Sequence, residues 1–228
     1  MKLLRSLVPV CALLLPCTLP AANFEGKVSM KITSQDSKDG PQTINYSLKD
    51  GLARFDVTGA RGGASVILDT KARQMTVLIP QQQMYMVRAI PEAQAAQAQS
   101  QAAHDSSFAA TGEKETILGY VCTKYTDTTP KETTELWVTD QLGFFAGMSM
   151  GGGPGRQQPP KQWEEIVKGK GFFPLRVVTR VGGKEKFRME ATSIDKGSLS
   201  DSLFQPPEGW RKFDMGAMMG GMGFPGSH

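Results

Sequence analysis

Residues 25–33 of this 228-residue chain read EGKVSMKIT, and from Lys27 onward polar and apolar side chains alternate. Val28, Met30 and Ile32 fall on one side of an extended strand, while lysine, serine and threonine residues fall on the other. This period of two is typical of a half-buried antiparallel strand. Similar alternation between Gly-, Pro- and Asp-containing turns predicts strands over TINYSL at 43–48, LARFDV at 52–57, RQMTVLIP at 73–80, and residues 84–88, 114–124, 133–139, 175–181 and 186–193.

Two later segments have helical spacing. Residues 140–150 begin with an aspartate that can cap a helix, which predicts a short amphipathic lid over the sheet. Its apolar residues are Leu142, Phe144, Phe145 and Met148. Since neighbours on a helix point about 100° apart, one of the two phenylalanines can face the sheet while the other reaches into a gap. Residues 159–168 begin near prolines and place Trp163, Ile166 and Val167 on one face, which predicts a second helix.

The predicted fold is mainly β: a strongly curved antiparallel sheet, forming an open half-barrel, with the two short amphipathic helices covering its concave face. Residues 92–103 consist largely of Ala and Gln and lack bulky apolar side chains, which predicts an exposed helix or excursion. We therefore expect a single domain over residues 23–212 with a Gln/Ala-rich excursion at 92–110. Residues 213–228 form a Met/Gly-rich tail that we predict to be disordered.

The first 22 residues have the pattern of a cleaved export signal. Lys2 and Arg5 precede an apolar stretch at residues 7–15, and prolines and two alanines follow it. The apolar stretch is shorter than the roughly 20 residues of a membrane-spanning helix. We therefore expect a periplasmic protein whose mature chain begins near Asn23. A lipid anchor at Cys17 is the alternative, and the proline directly before that cysteine disfavours it.

Charge and cysteine content narrow the function classes further. Loss of Lys2 and Arg5 with the signal lowers the formal net charge from +4 to +2, and the basic residues are scattered, so we expect no nucleic-acid partner. Cys11 and Cys17 leave with the same segment, which excludes an intramolecular disulfide in the mature chain. The remaining Cys122 lies in an apolar strand, where we expect it to act as a small core residue.

The sequence offers little catalytic chemistry. The GGGPG run at residues 151–155 lacks the Lys-Ser or Lys-Thr pair of a phosphate-binding loop. His104 lies in the Ala-rich stretch and His228 ends the chain, so neither is positioned as a general base. We therefore expect no enzyme activity, no cofactor and no metal centre. A minor alternative is Cu(I) binding by the thioethers of the tail, namely Met215, Met218, Met219 and Met222.

Four runs carry a family resemblance: TGEKETILGYVCTKYT at 111–126, ELWVTDQLG at 135–143, GFFPLRVVTR at 171–180, and MEATSIDKGSLSDSLFQPPEGWRK at 189–212. Together with the strand-turn-strand pattern at 65–86, they resemble an uncharacterised bacterial envelope family, domain of unknown function 4412, over nearly the whole mature chain. More loosely, the strand order and the FQPPEGW run resemble the LolA and LolB class of lipoprotein carriers. That looser resemblance implies an open half-barrel with a helical lid over an apolar cavity. The envelope family has no established catalytic residues, so the resemblance to it implies none.

The leading hypothesis is an exported, non-catalytic envelope protein that holds a lipid or other apolar ligand, or an acyl-bearing lipoprotein, under the lid. Membrane association would then be peripheral or absent. The alternative is a structural or interaction module whose apolar face is a filled core without a ligand. The candidate ligand-contacting residues are Met30, Ile32, Tyr46, Phe55, Met84, Met86, Trp137, Phe144, Phe145 and Met148.

Overall fold

A computed structural model describes residues 24–37, 40–58, 63–90, 107–145, 147 and 162–213. The predicted export signal, most of the Gln/Ala-rich stretch, the GGGPG run, Met148, both histidines and the tail from residue 214 lie outside these residues.

The described residues form one mainly β sheet of 12 strands. The strands are β1 (Gly26–Ser34), β2 (Gln42–Lys49), β3 (Leu52–Thr58), β4 (Ala64–Asp69), β5 (Gln74–Ile79), β6 (Met84–Ala89), β7 (Ser107–Ile117), β8 (Tyr120–Thr128), β9 (Thr133–Thr139), β10 (Phe173–Val181), β11 (Lys184–Lys196) and β12 (Arg211–Lys212). Their order is β12-β6-β5-β4-β3-β2-β1-β11-β10-β9-β8-β7, and β12 and β7 are not paired with each other. All neighbours are antiparallel except β12 and β6. The predicted open antiparallel sheet is therefore confirmed.

One predicted strand, residues 114–124, is wrong because it contains a hairpin turn. β7 ends at Ile117 and β8 begins at Tyr120, with Leu118 at φ 50° and Gly119 at φ 87° between them. Two consecutive residues with positive φ form the tight turn that matches the twist of a hairpin. Leucine rarely adopts this conformation, so the pair gave no turn signal.

The start of β7 also corrects the predicted excursion. Residues 107–110, placed at its end, pair with β8 in register with residues 125–128. Phe108 stacks on Tyr125 with ring centroids 4.9 Å apart. These four residues therefore belong to the sheet rather than to the Gln/Ala-rich excursion.

The predicted lid helix over residues 140–150 is not helical in its described part, residues 140–145 and 147. Gly143 has φ 82° and Gly147 has φ 88°, and such left-handed backbone interrupts an α-helix. The predicted second helix is present as α1 (Gln162–Gly169), and it is the one α-helix among the described residues. Gly171, with φ 68°, follows its end.

The main core lies on the sheet face that α1 covers, here called the helix-side face. Trp163 and Val167 of α1 pack into a cluster with residues of the central strands. Tyr46 lies opposite Phe55, which in turn lies opposite Val66, so one row of core residues crosses three strands. All five side chains are at most 1% exposed, so this part of the helix-side face is filled.

The opposite face of β3–β6 is covered by the segment after β11. Ile67 and Leu78 of the sheet form a second buried cluster with Phe204. Leu203 and Trp210 pack against this cluster, and the following β12 pairs with β6. The FQPPEGW run at residues 204–210 therefore packs against this face of the sheet and leads into β12.

The opposite face of β7–β11 carries two chains of ion pairs that join different strands. In one chain, Arg176 bridges Glu115 and Glu190, each at 2.8 Å. In the other, Glu135 pairs with Lys124 at 3.1 Å and with Arg180. Half-exposed networks of this kind contribute modestly to stability and keep the surface polar.

Candidate functional site

A pocket of about 370 Å³ opens at the end of the sheet where β2 ends and β3 begins. Its position follows from a hairpin signal, because Asp50 at φ 42° and Gly51 at φ 83° form the two-residue turn that Asp-Gly favours. The side chains around it come from four separate parts of the chain. They are Phe24, Leu48, Lys49, Asp50, Gly51, Leu52, Lys71, Asp140, Gln141, Leu142, Gly143 and Phe144. The volume falls within the range of small-molecule sites.

Apolar side chains form the inner wall of the pocket. Leu48 and Leu142 are 3% and 1% exposed and belong to the main core. Phe24 is also buried, and its ring meets the ring of Tyr120 edge-on at 6.3 Å. Phe144 is half-buried and packs against the same core. The wall can therefore bury the apolar part of a ligand.

Charged side chains form the rim. Lys49 Nζ lies 2.7 Å from Asp201 and 3.4 Å from Glu25, and it donates a hydrogen bond to the carbonyl of Leu199. The hydrogen bond with Asp201 is the main cause that raises the pKa of Lys49, so this ammonium stays charged. Lys71 pairs with Asp50 at 2.6 Å. The rim thus presents both signs of charge beside an apolar wall.

An aromatic cluster lies directly behind this wall. The ring of Phe145 is 5.9 Å from Tyr46, 6.1 Å from Trp163 and 5.7 Å from Phe173. Tyr46 also contacts Phe173 edge-on at 5.5 Å and Phe55 at 6.0 Å. Such spacings are those of favourable aromatic pairs, so the cluster ties β2, β3, β10 and α1 together.

Polar atoms interrupt this cluster. Tyr46 Oη and Trp163 Nε1 are buried and have no hydrogen-bond partner among the described residues. Glu164, next along α1, is 2% exposed. Burial, and secondly the Glu164 carboxyl group, raise the pKa of Tyr46 far above its usual range, so its hydroxyl stays protonated. Gly147 lies against Glu164, and a Cβ at that glycine would be 3.0 Å from Oε2.

The structure separates the ten predicted ligand-contacting residues. Six lie on the helix-side face: Met30, Ile32, Tyr46, Phe55, Met84 and Met86. Phe145 lies in the aromatic cluster, and Phe144 alone of the ten lines the described pocket. Met148 lies outside the described residues.

The placement of Trp137 corrects the prediction for that residue. It alternates with buried Leu136 and Val138 along β9, so it faces the opposite side of the sheet. There Lys124 Nζ lies 5.7 Å from its ring centroid.

Most of the pocket wall was missed from the sequence. Leu48 and Leu52 flank the Asp-Gly turn and were predicted only as strand residues, and Phe24 precedes the first strand. The alternation along β2 and β3 marks Leu48 and Leu52 as apolar strand residues. No local sequence pattern shows that residues near 142 lie against them.

Within the described ranges, no group of three or more His, Cys, Asp or Glu residues is arranged to hold a metal ion. Across the same parts of the chain, none of the helices has the length and apolar character needed to cross a membrane. Cys122 is fully buried, as predicted, and burial raises the pKa of its thiol to about 11.

The described residues thus define a single open antiparallel sheet with a filled aromatic core and a mixed apolar and charged pocket at one end. The chain belongs to the family described as Domain of unknown function (DUF4412), whose family model matches residues 24–210. This confirms the resemblance carried by the four sequence runs. No curated protein matches the chain.

Several solved structures match the chain at low identity. PNGF-II matches with 15% identity and a TM-score of 0.46, over 86% of this chain and 32% of its own, so this chain spans about a third of it. An uncharacterised conserved protein from Thermus thermophilus matches with 9% identity and a TM-score of 0.46, over 83% and 90% of the two chains. A LolA superfamily protein from Nitrosomonas europaea matches with 12% identity and a TM-score of 0.33, over 82% and 91%. With TM-scores below 0.5, the functions of these proteins do not transfer to this chain.

Proposed function

We propose that this chain is an exported, non-catalytic envelope protein that binds an amphiphilic ligand, with the apolar part of the ligand in the pocket beside Phe144. The observation that carries the proposal is the combination of an apolar wall and a charged rim around a volume of about 370 Å³. Residues 1–22 serve as its export signal, and the mature chain acts in the periplasm. A lipid or the acyl chain of a lipoprotein has the required chemistry.

The expected affinity follows from burial of the apolar part. Each buried methylene group contributes about 0.8 kcal/mol, so roughly ten of them supply about 8 kcal/mol. That value corresponds to a dissociation constant near 1 μM before the entropic costs of association. Binding in the micromolar range or weaker is therefore expected, as suits a carrier that must also release its ligand.

The rim influences which polar group the ligand presents. Lys49 and Lys71 are both engaged with carboxylates, so an anionic group must compete with existing ion pairs. Exposed pairs of this kind are worth little individually, so such an exchange is energetically feasible. A zwitterionic or uncharged polar group can occupy the rim without breaking either pair.

A second candidate is a structural or interaction module without a ligand. It is favoured by the near-complete burial of Tyr46, Phe55, Phe145 and Trp163, which leaves the described centre of the helix-side face filled. For this reason the proposal places the apolar part of the ligand in the end pocket.

The test uses the full mature chain purified after export, with a fluorescent fatty-acid probe and mass spectrometry of co-purifying lipids. Phe144→Ala is expected to weaken probe binding about tenfold, because the burial of a phenylalanine side chain contributes about 1.5–3 kcal/mol. Phe187→Ala is the matched control, since Phe187 is half-buried on β11 near the other end of the sheet. Intact mass, expected to begin at Asn23, tests the export signal.

Absence of probe binding and of bound lipid in the wild-type chain would favour the module. A diacylglycerol adduct on Cys17 would replace the soluble periplasmic form with a lipid-anchored one. Equal loss of binding in both phenylalanine variants would show that the pocket is not the binding site.

A further inference from the structure

Two hydrogen-bond donors without partners lie in the most buried part of the molecule. Tyr46 and Trp163 are each 1% exposed, and neither Tyr46 Oη nor Trp163 Nε1 has a hydrogen-bond partner among the described residues. An unsatisfied buried donor costs about 1–3 kcal/mol, and apolar side chains of similar shape would avoid this cost. Buried polar groups are normally satisfied, so a pair of unsatisfied donors in one cluster calls for a partner.

Both donors lie behind the inner wall of the pocket. Leu48, which lines the pocket, is two residues after Tyr46 on the same strand and the same face, which places them about 7 Å apart. Phe145 follows the pocket residue Phe144, and its ring lies 5.9 Å from Tyr46 and 6.1 Å from Trp163. A ligand that extends inward past Leu48 therefore approaches the two donors.

The wall between pocket and donors is irregular backbone. Residues 140–145 contain neither helix nor strand, although the preceding strand β9 is paired with β10 along its length. Segments without regular hydrogen bonding open at lower free energy than core strands do. Movement of Phe145 within this segment would join the pocket to the donors.

The chemistry of the donors selects the ligand group. A phenol hydroxyl and an indole N–H both donate, so the complementary group is a hydrogen-bond acceptor. Transfer of an ionised carboxylate into such a buried position is far more unfavourable than transfer of a neutral carbonyl. The buried Glu164 carboxyl group, which acts electrostatically on Tyr46, adds to the discrimination against an anion.

We infer that Tyr46 Oη and Trp163 Nε1 form a polar subsite at the inner end of the pocket that receives a neutral oxygen acceptor, such as the carbonyl of an acyl ester or amide. This inference rests on the proposed function and narrows its ligand class to acyl esters or amides rather than free fatty acids.

The experiment compares two probes, a pyrene-labelled fatty acid and its methyl ester, on the full mature chain and on conservative variants. Wild type is expected to bind the ester more tightly than the acid. Tyr46→Phe should weaken ester binding about threefold to tenfold, the range expected for one hydrogen bond, and leave acid binding unchanged. Trp163→Phe should act in the same direction. Tyr125→Phe is the control, because Tyr125 is a half-buried tyrosine on β8.

Stability measurements distinguish a ligand subsite from a simple packing defect. Tyr46→Phe removes an unsatisfied hydroxyl, so the ligand-free variant should be at least as stable as wild type. If that variant is as stable and binds the ester as well as wild type does, the inference is overturned while the proposed function stands. If wild type binds neither probe, the proposed function fails and the subsite fails with it.

Discussion

Replacement of Phe145 by alanine is expected to destabilise the protein strongly, whereas replacement of its neighbour Phe144 is not. Phe145 is completely buried and contacts three aromatic rings at 5.7–6.1 Å. Truncation of a phenylalanine in such a core typically costs about 3–5 kcal/mol, because apolar burial is lost and a cavity remains. Domains of this kind have about 5–15 kcal/mol of total stability, so the variant should lose a large fraction of it.

Phe144 is half-buried at the pocket wall, so its truncation removes less apolar burial and leaves an opening that water can enter. We expect a loss of about 1 kcal/mol. Urea unfolding with linear extrapolation compares the two variants on the same chain. With a slope of about 2 kcal/mol per molar urea, Phe145→Ala should lower the midpoint by about 1.5 M or more, and Phe144→Ala by about 0.5 M.

The losses of stability in the two variants distinguish a core residue from a residue of the pocket wall. Equal destabilisation by both substitutions would refute the assignment of Phe145 to the core and Phe144 to the wall. Loss of less than about 1 kcal/mol in Phe145→Ala would show that the aromatic cluster does not stabilise the fold. The double variant should lose roughly the sum of the two, with a deviation only if the adjacent rings support each other.

Gly147→Ala should destabilise the chain about 1 kcal/mol more than Gly143→Ala. Both glycines have left-handed φ, but only a methyl group at residue 147 crowds the buried Glu164 carboxyl group. Urea unfolding of the two variants measures the difference, and equal losses of stability would contradict the prediction. Cys122 should resist thiol-labelling reagents at pH 8 in native buffer and react readily in urea, because the thiol is buried and burial raises its pKa to about 11. Rapid labelling of the folded protein would contradict that burial. A hydrogen bond from Arg180 is the main cause that lowers the pKa of Glu135. The stabilising effect of this carboxylate is therefore present above the ordinary glutamate pKa of about 4.3, and it is lost as the pH falls through the lower pKa of the folded state. Glu135→Gln should therefore be less stable than wild type at pH 7, and urea unfolding should show the difference shrinking as the pH falls below the ordinary glutamate pKa. A difference that does not change with pH would contradict this linkage.

Some features of the fold were predictable because they depend on local pattern. Alternation along β1, β2 and β3 identified both the strands and the face that enters the core, since a strand places every second side chain on one side. The Asp-Gly pair at residues 50–51 marked a tight turn for an equally local reason. The apolar stripe of α1 predicted a helix that packs by Trp163 and Val167.

Other predictions from the sequence failed where a residue broke a local rule or where the local pattern was ambiguous. Leu118 adopts a backbone conformation that its side chain disfavours, so the turn between β7 and β8 was hidden. The apolar residues at 142–145 have helical spacing, yet Gly143 and Gly147 take left-handed φ and the described segment is irregular. Alternation also shows that Leu136 and Trp137 face opposite sides of β9, but both are apolar, so pattern alone does not say which enters the core.

By itself, the sequence determined the mainly β class, most of the strands, the helix α1 and the family to which the chain belongs, because each of these is encoded in contiguous residues. The tertiary structure alone decided the pocket and the two donors behind it, which have no hydrogen-bond partner within the described part of the chain. The pocket combines Phe24, residues 48–52, Lys71 and residues 140–144, which meet because the ends of β2, β4 and β9 lie at the same end of the sheet as the start of β1. Contacts between segments this distant depend on strand order and register, and short-range periodicity specifies neither.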